Sequence, residues 1–147
     1  VIEAARNLAG IFDANSAEFS PESGSHVIAT MEDQKSIIAG SGDMGATMRL
    51  GLYKADLKAG SIVAQTYGSK EVSERHRHRY EMNIKYEKIF SKKGLIISGK
   101  SPDGKLPEII EILKHPWFLG VQFHPESIMT PHGIEILHNF IQIVHSV

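Results

Sequence analysis

The chain has 147 residues, 41% hydrophobic and 22% charged, with a formal net charge of -1. That length holds about one domain with its own core, and the balanced charge gives no bulk attraction to nucleic acid or to an anionic membrane. Cysteine is absent, which excludes disulfides and thiolate metal sites and fits a cytoplasmic protein. No run reaches the roughly 18 apolar residues of a spanning helix, and the N-terminus carries no signal-peptide pattern.

In chain order, "VIEAARNLAG" spaces Ile2, Ala5 and Leu8 near the helical period and stops at Gly10, which predicts a helix from the first residue. It lacks an initiator methionine and a leading turn, so the sequence reads as truncated at its N-terminal side. "FDANSAEFSPESGSH" is a loop by composition, and "HVIAT" a short strand. "KSIIAGSGDMGATMRLGLYKADL" gives extended segments broken by glycines, ending in Met48, Leu50 and Tyr53. "SIVAQTYG" supplies one or two helical turns. "SKEVSERHRHRYEMN" has no apolar face and is expected on the surface or lining a cleft. "IKYEKIFSKKG" is a short amphipathic helix ending at Gly94, "LIISGKS" a strand and "SPDG" a turn. "KLPEIIEIL" and "WFLGVQF" follow as strands. The closing "HGIEILHNFIQIVHSV" places Ile134, Leu137, Phe140, Ile141 and Val144 on one helical face, expected to pack on the core. The order predicts α/β architecture, an open sheet flanked by helices, with residues 1–147 forming the C-terminal portion of a single domain.

Four constellations carry possible chemistry. In "FHPE", His124 follows an apolar strand, where open α/β folds place their sites, and Glu126 is spaced to orient it across Pro125. The alternative is a surface turn. In "SERHRHRYE", an extended backbone would put Arg75, Arg77 and Arg79 on one side, a grip for a carboxylate or phosphate, or else a solvated charged loop. His76 and His78 have metal-ligand spacing, but the flanking arginines would repel a cation. "DMGATMRLG", Asp43 to Gly51, reads as an anion-binding nest or, better, a glycine-marked bend. Glu18 in "ANSAEF" is a lone loop carboxylate, a cap or a solubilising charge.

"QFHPE" resembles the His-Pro-Glu signature of class I glutamine amidotransferases, which hydrolyse glutamine with a Cys-His-Glu triad. "ANSAEF", "DMGATMRLG", "SERHRHRYEMN" and "SPDGKLPEIIEI…HPWF" resemble, in order, the glutaminase domain of the CTP synthase family up to Glu126. The resemblance implies a three-layer, flavodoxin-like sheet flanked by helices. It implies His124 as general base, Glu126 as its orienting carboxylate, Glu18 on the α-amino group of L-glutamine, Arg79 on its α-carboxylate, and Tyr80 acting through its main chain. It further implies ammonia transfer to a synthase domain binding UTP, ATP and magnesium. No metal or cofactor is implied in this domain, and the full enzyme would be a cytoplasmic homotetramer with no nucleic-acid or membrane partner.

Two departures stand out. The family's Cys-Leu-Gly-Met-Gln nucleophile elbow would precede the first helix, so the chain by itself is expected to be inactive. The tail, Ser127 to Val144, resembles instead the amidotransferase subunits of anthranilate and aminodeoxychorismate synthases. Such a subunit is one alternative, and a non-catalytic glutamine-binding or structural domain is another.

Overall fold

The structure, a computed structural model, describes residues 1–30, 49–126 and 133–146. Most of the proposed nest, from Asp43 to Met48, lies outside the described residues, as does the stretch 127–132.

Helix α1 (Ile2–Asn7) precedes strands β1 (Ala14–Ser16), β2 (Ser25–Thr30) and β3 (Arg49–Leu57). Helix α2 (Ile62–Tyr67), β4 (Glu71–His78) and β5 (Tyr80–Met82) follow. A 3-10 turn, Ile84–Tyr86, leads into α3 (Glu87–Lys92), then β6 (Leu95–Lys100), β7 (Pro107–Ile112) and β8 (Leu119–Val121), and the chain closes on α4 (Gly133–Val144). Gly94 adopts φ 87°, a conformation only glycine takes without strain, and ends α3 as its position predicts. Helix α2 is capped twice: Ser61 Oγ accepts from the Ala64 N–H, and the buried Glu111 carboxylate accepts from the N–H groups of Ile62 and Val63, each at 3.0 Å. A carboxylate suits that helix end, where unpaired N–H groups concentrate positive charge.

The strands form a sheet of order β1-β2-β5 and another of order β4-β3-β6-β7-β8. The β1–β2 pair is parallel and β2–β5 antiparallel. All pairs of the second sheet are antiparallel. Residues of β6 and β7 are buried on both faces, which explains why "LIIS" and "EIIEI" lack alternation. Ile110 faces one core with Ala5, Val27, Met82, Phe90 and Leu95, while Ile109 faces the other with Leu57, Val63, Val72, Phe123 and Ile136. Strands β3 and β6 share only the pairs Asp56↔Lys100 and Leu57↔Gly99. The long β3–β4 ribbon is therefore free to leave the plane of β6–β8, and it folds back towards the chain that leaves β8, where the His124 N–H donates to the Arg75 carbonyl at 3.3 Å.

Three expectations are corrected. The charged segment lines a cleft at Arg77 to Tyr80, as expected, but its strand β4 also buries Val72, Glu74 and His76, because its inner face meets a polar core that its composition does not show. Leu50 is exposed and Tyr53 half-buried on the opposite face, as odd spacing requires in a strand. The apolar face of α4 does not pack on the core: Phe140 is 50% and Val144 57% exposed, and Leu137 and Ile141 are exposed too. The helix turns Ile136 inward instead and meets α2. The Ile134 side chain lies outside the described residues. Strand β8 is also short and half-buried, since it lies at a sheet edge.

A Cβ at Gly99 would lie 2.7 Å from both Ile109 Cγ1 and Cδ1. Gly99→Ala is expected to lower stability by about 1–3 kcal/mol in urea unfolding. The loss should shrink when Ile109→Ala is already present, because the double substitution removes the clash.

Candidate active site

Beyond β8 the chain runs through Gln122 and Phe123 to His124. Phe123 is buried against the His76 ring, with centroids 5.9 Å apart. That anchor leaves His124 and Glu126 exposed at the next turn, where His124 Nδ1 and Glu126 Oε1 are 2.8 Å apart. With Glu126 ionised, Nδ1–H donates to it and the lone pair resides on Nε2, the arrangement a general base requires. The carboxyl of Glu126 is held below its usual range, first by its own main-chain N–H and then by the His124 hydrogen bond.

A cleft of about 430 Å³ is lined by Glu18, Arg77, His78, Arg79 and Tyr80. Glu18 follows β1 in a tight turn whose N–H donates to Ser16 Oγ at 3.2 Å, so it caps no helix. Arg79 occupies the single position between β4 and β5. Strand alternation sets half-buried Arg75 and exposed Arg77 opposite buried His76, as the extended reading anticipates, and Arg79 beyond the strand is exposed too. The fold thus gathers Glu18 and Arg79, distant in sequence, on one cleft, where a carboxylate and a guanidinium match the two ends of an amino acid. His124 and Glu126 are not cleft walls. They are joined to it through Gln122, whose Nε2 donates to the Tyr80 carbonyl at 2.8 Å. A second cavity, of about 460 Å³, is lined by Lys58, Glu87, Ser98 and Lys100 among others and includes none of the candidate residues. Its Lys100 is already paired with Glu87 at 2.7 Å.

Beneath the cleft lies an ionic cluster that sequence reasoning missed. Arg49 Nη1 is 2.6 Å from Glu108 Oε1 and 3.4 Å from Glu81 Oε1, all three residues being buried. The guanidinium also lies 4.3 Å from the Tyr53 ring centroid. A signal was present: Glu108 and Glu111 interrupt "PEIIEI", and a carboxylate inside a doubly buried strand demands a partner. His76 Nδ1 and His78 Nε2 are 2.8 Å apart and bond to each other. No group of three or more His, Asp or Glu among the described residues is arranged to hold a metal ion. Burial, then the charge of Arg49, holds His76 down to about 3 and His78 down to about 4. Burial pushes Glu81 up to about 7 against the opposing pull of Arg49.

Comparison with known proteins bears on this geometry. The family model of class I glutamine amidotransferases matches residues 18–144. The chain belongs to that family. This amidotransferase chain is 57% identical over 136 residues to the CTP synthase of Hyphomonas neptunium and 56% identical over 133 residues to that of Bifidobacterium longum. Each match covers 89% of the chain and about a quarter of the relative, 25% and 24%. The glutaminase domain of Trypanosoma brucei CTP synthase, solved with bound acivicin, superposes with a TM-score of 0.82 at 37% identity, covering 99% of this chain and 56% of that one. A putative GMP synthase subunit from Thermoplasma acidophilum, at 22% identity and a TM-score of 0.52, shares the fold. The family match runs through α4, so the divergent tail is still class I amidotransferase sequence. No helix among the described residues is long and apolar enough to cross a membrane.

Two predictions follow from the cluster. Arg49→Met strands two buried carboxylates and is expected to cost about 3–5 kcal/mol in urea unfolding. The pH dependence has two opposed limbs. Unfolding lets His76 and His78 titrate near 6.5, so their contribution is complete above that pH and is lost on acidification towards 4 and then 3. Glu81, at 4.5 unfolded and about 7 folded, contributes fully below 4.5, and that contribution is lost as pH rises through 7. Urea midpoints measured across this range should therefore show a flatter acid limb for His78→Gln and a flatter neutral limb for Glu81→Gln.

Proposed function

We propose that the chain is part of the glutaminase domain of a CTP synthase, supplying ammonia from L-glutamine. The observation that carries this reading is the cleft holding Glu18, Arg79 and Tyr80 next to a His124–Glu126 pair bonded through Nδ1 at 2.8 Å. In this assignment Glu18 receives the α-ammonium of glutamine, Arg79 its α-carboxylate, and Tyr80 contributes main-chain contacts. The nucleophile is a cysteine outside this chain, which contains none.

His124 Nε2 takes the proton from the thiol, and the sulfur adds to the side-chain amide carbon. As the carbon–nitrogen bond breaks, His124 returns the proton to nitrogen and ammonia leaves a glutamyl thioester. Water then adds to the thioester with His124 again accepting a proton, which it returns to sulfur as the carbon–sulfur bond breaks and glutamate departs. Glu126 holds the ring tautomer and offsets the imidazolium charge in both halves. Ammonia passes to a synthase domain, which uses ATP and magnesium to aminate UTP to CTP, and this domain needs no cofactor of its own. The whole enzyme is proposed to be a homotetramer in the cytoplasm, with no nucleic-acid or membrane partner.

Isothermal titration tests the clamp. Glutamine should bind, and Arg79→Ala or Glu18→Gln should each weaken binding at least about tenfold, or ~1.4 kcal/mol. Unchanged affinity in both variants would refute the assignment. The purified 147-residue chain should release no glutamate from glutamine, and measurable turnover would overturn the placement of the nucleophile outside it.

A further inference from the structure

Residues Gln122, Phe123 and His124 each fasten onto the β4–β5 segment. The Gln122 side-chain nitrogen donates to the Tyr80 carbonyl at 2.8 Å and to His78 Nδ1 at 3.1 Å. Its own main-chain N–H is fixed on β7, donating to the Glu108 carbonyl at 2.9 Å. Phe123 covers the His76 ring, and the His124 N–H donates to the Arg75 carbonyl. A primary amide carries two hydrogens on one nitrogen, so it alone among uncharged side chains of this size can serve both acceptors from one atom. With Gln122 as the donor to His78 Nδ1, the tautomer that also serves His76 carries the His78 proton on Nε2, which then donates to His76 Nδ1 at 2.8 Å.

The two groups Gln122 holds belong to residues 78 and 80, the immediate neighbours of Arg79, and Gln122 is itself two residues before His124. We propose that Gln122 is a positioning residue for glutamine hydrolysis, fixing the His78 ring and the Tyr80 carbonyl, on either side of Arg79, relative to His124. The inference rests on the glutaminase reading and deepens it. The dyad is exposed and lies outside the cleft lining, on a different segment from Arg79, so substrate anchored at Arg79 reaches Nε2 at the right distance only if the two segments keep one register. Displacement of a reacting group by about 1 Å is enough to slow a reaction by orders of magnitude. The neighbouring cluster supports the arrangement: both imidazoles remain neutral at pH 7 and add no like charge beside Arg79.

The test is steady-state glutamate release by the full-length enzyme bearing Gln122→Met or Gln122→Glu, beside ammonia-supported product formation and His124→Ala. Both Gln122 variants keep the side-chain length and lose the donors. Either should lower kcat for glutamine hydrolysis, and with it kcat/KM, at least about tenfold, with the ammonia-supported rate within about twofold of wild type. Long-range 1H–15N spectra should show the His78 proton on Nε2 in the wild type and displaced from that tautomer in Gln122→Glu. A glutamine kcat/KM within twofold of wild type would overturn the proposal. So would equal loss of the glutamine- and ammonia-supported rates, or failure of both variants to fold, since either marks a purely structural role. If His124→Ala retains hydrolysis, the glutaminase reading itself falls. If His124→Ala is inactive and Gln122→Met is normal, only the positioning role falls.

Discussion

A guanidinium taken out of water must be met by anions, and the residues that meet Arg49 come from separate parts of the fold. Arg49 opens β3, Glu81 lies in β5 of the smaller sheet, and Glu108 lies in β7. One side chain therefore ties the β3–β4 ribbon to the central strands and to the neighbouring sheet. Besides this tie the ribbon is held by the short Asp56–Leu57 pairing with β6, by Leu57 and Val72 in the core, and by the contacts of Gln122, Phe123 and His124. Removing one member of such a buried group leaves charge with neither water nor a partner, so the cluster is far harder to break than a surface pair.

The same constraint explains how β4 serves two environments at once. A strand shows alternate residues to opposite faces. Its inner residues, Val72, Glu74 and His76, enter the core, while Arg77 points outward to the cleft that Arg79 also lines. A protonated His76 beside Arg49 would add a like charge in a dry site, and both burial and that charge keep the ring neutral. Neutral rings can pass one hydrogen bond to the next, which connects the core cluster to Gln122 and so to the segment bearing His124.

The His124–Glu126 pair and the residues Glu18 and Arg79 are held by different parts of the fold. Glu18 and Arg79 lie on short connections beside strands, whereas His124 and Glu126 follow a half-buried edge strand. What holds the latter in place is Phe123 in the core and the hydrogen bonds of Gln122 and His124 to the strand opposite. A site assembled across a curled sheet in this way depends on side chains that have no part in the chemistry.

The sequence by itself determined what local pattern and motif can determine. The helix stop at Gly94, the turn at "SPDG" and the strands of "LIISGK" and "PEIIEI" lie where they are expected, because φ preference and continuous apolarity are local properties. "FHPE" placed His124 and Glu126 two residues apart at the end of an apolar strand, and they meet at 2.8 Å. Composition misjudged β4, since charge suggests solvent unless the partner charges are known, and those are on β3, β5 and β7. Periodicity misjudged α4 for a related reason: an apolar stripe says that a face could be buried, not which neighbours reach it, and Ile136 rather than Phe140 or Val144 meets the core. Resemblance alone had set Glu18 beside Arg79, but only the tertiary structure brought Gln122 to both neighbours of Arg79, because distance along the chain carries no record of which residues a sheet will fold together.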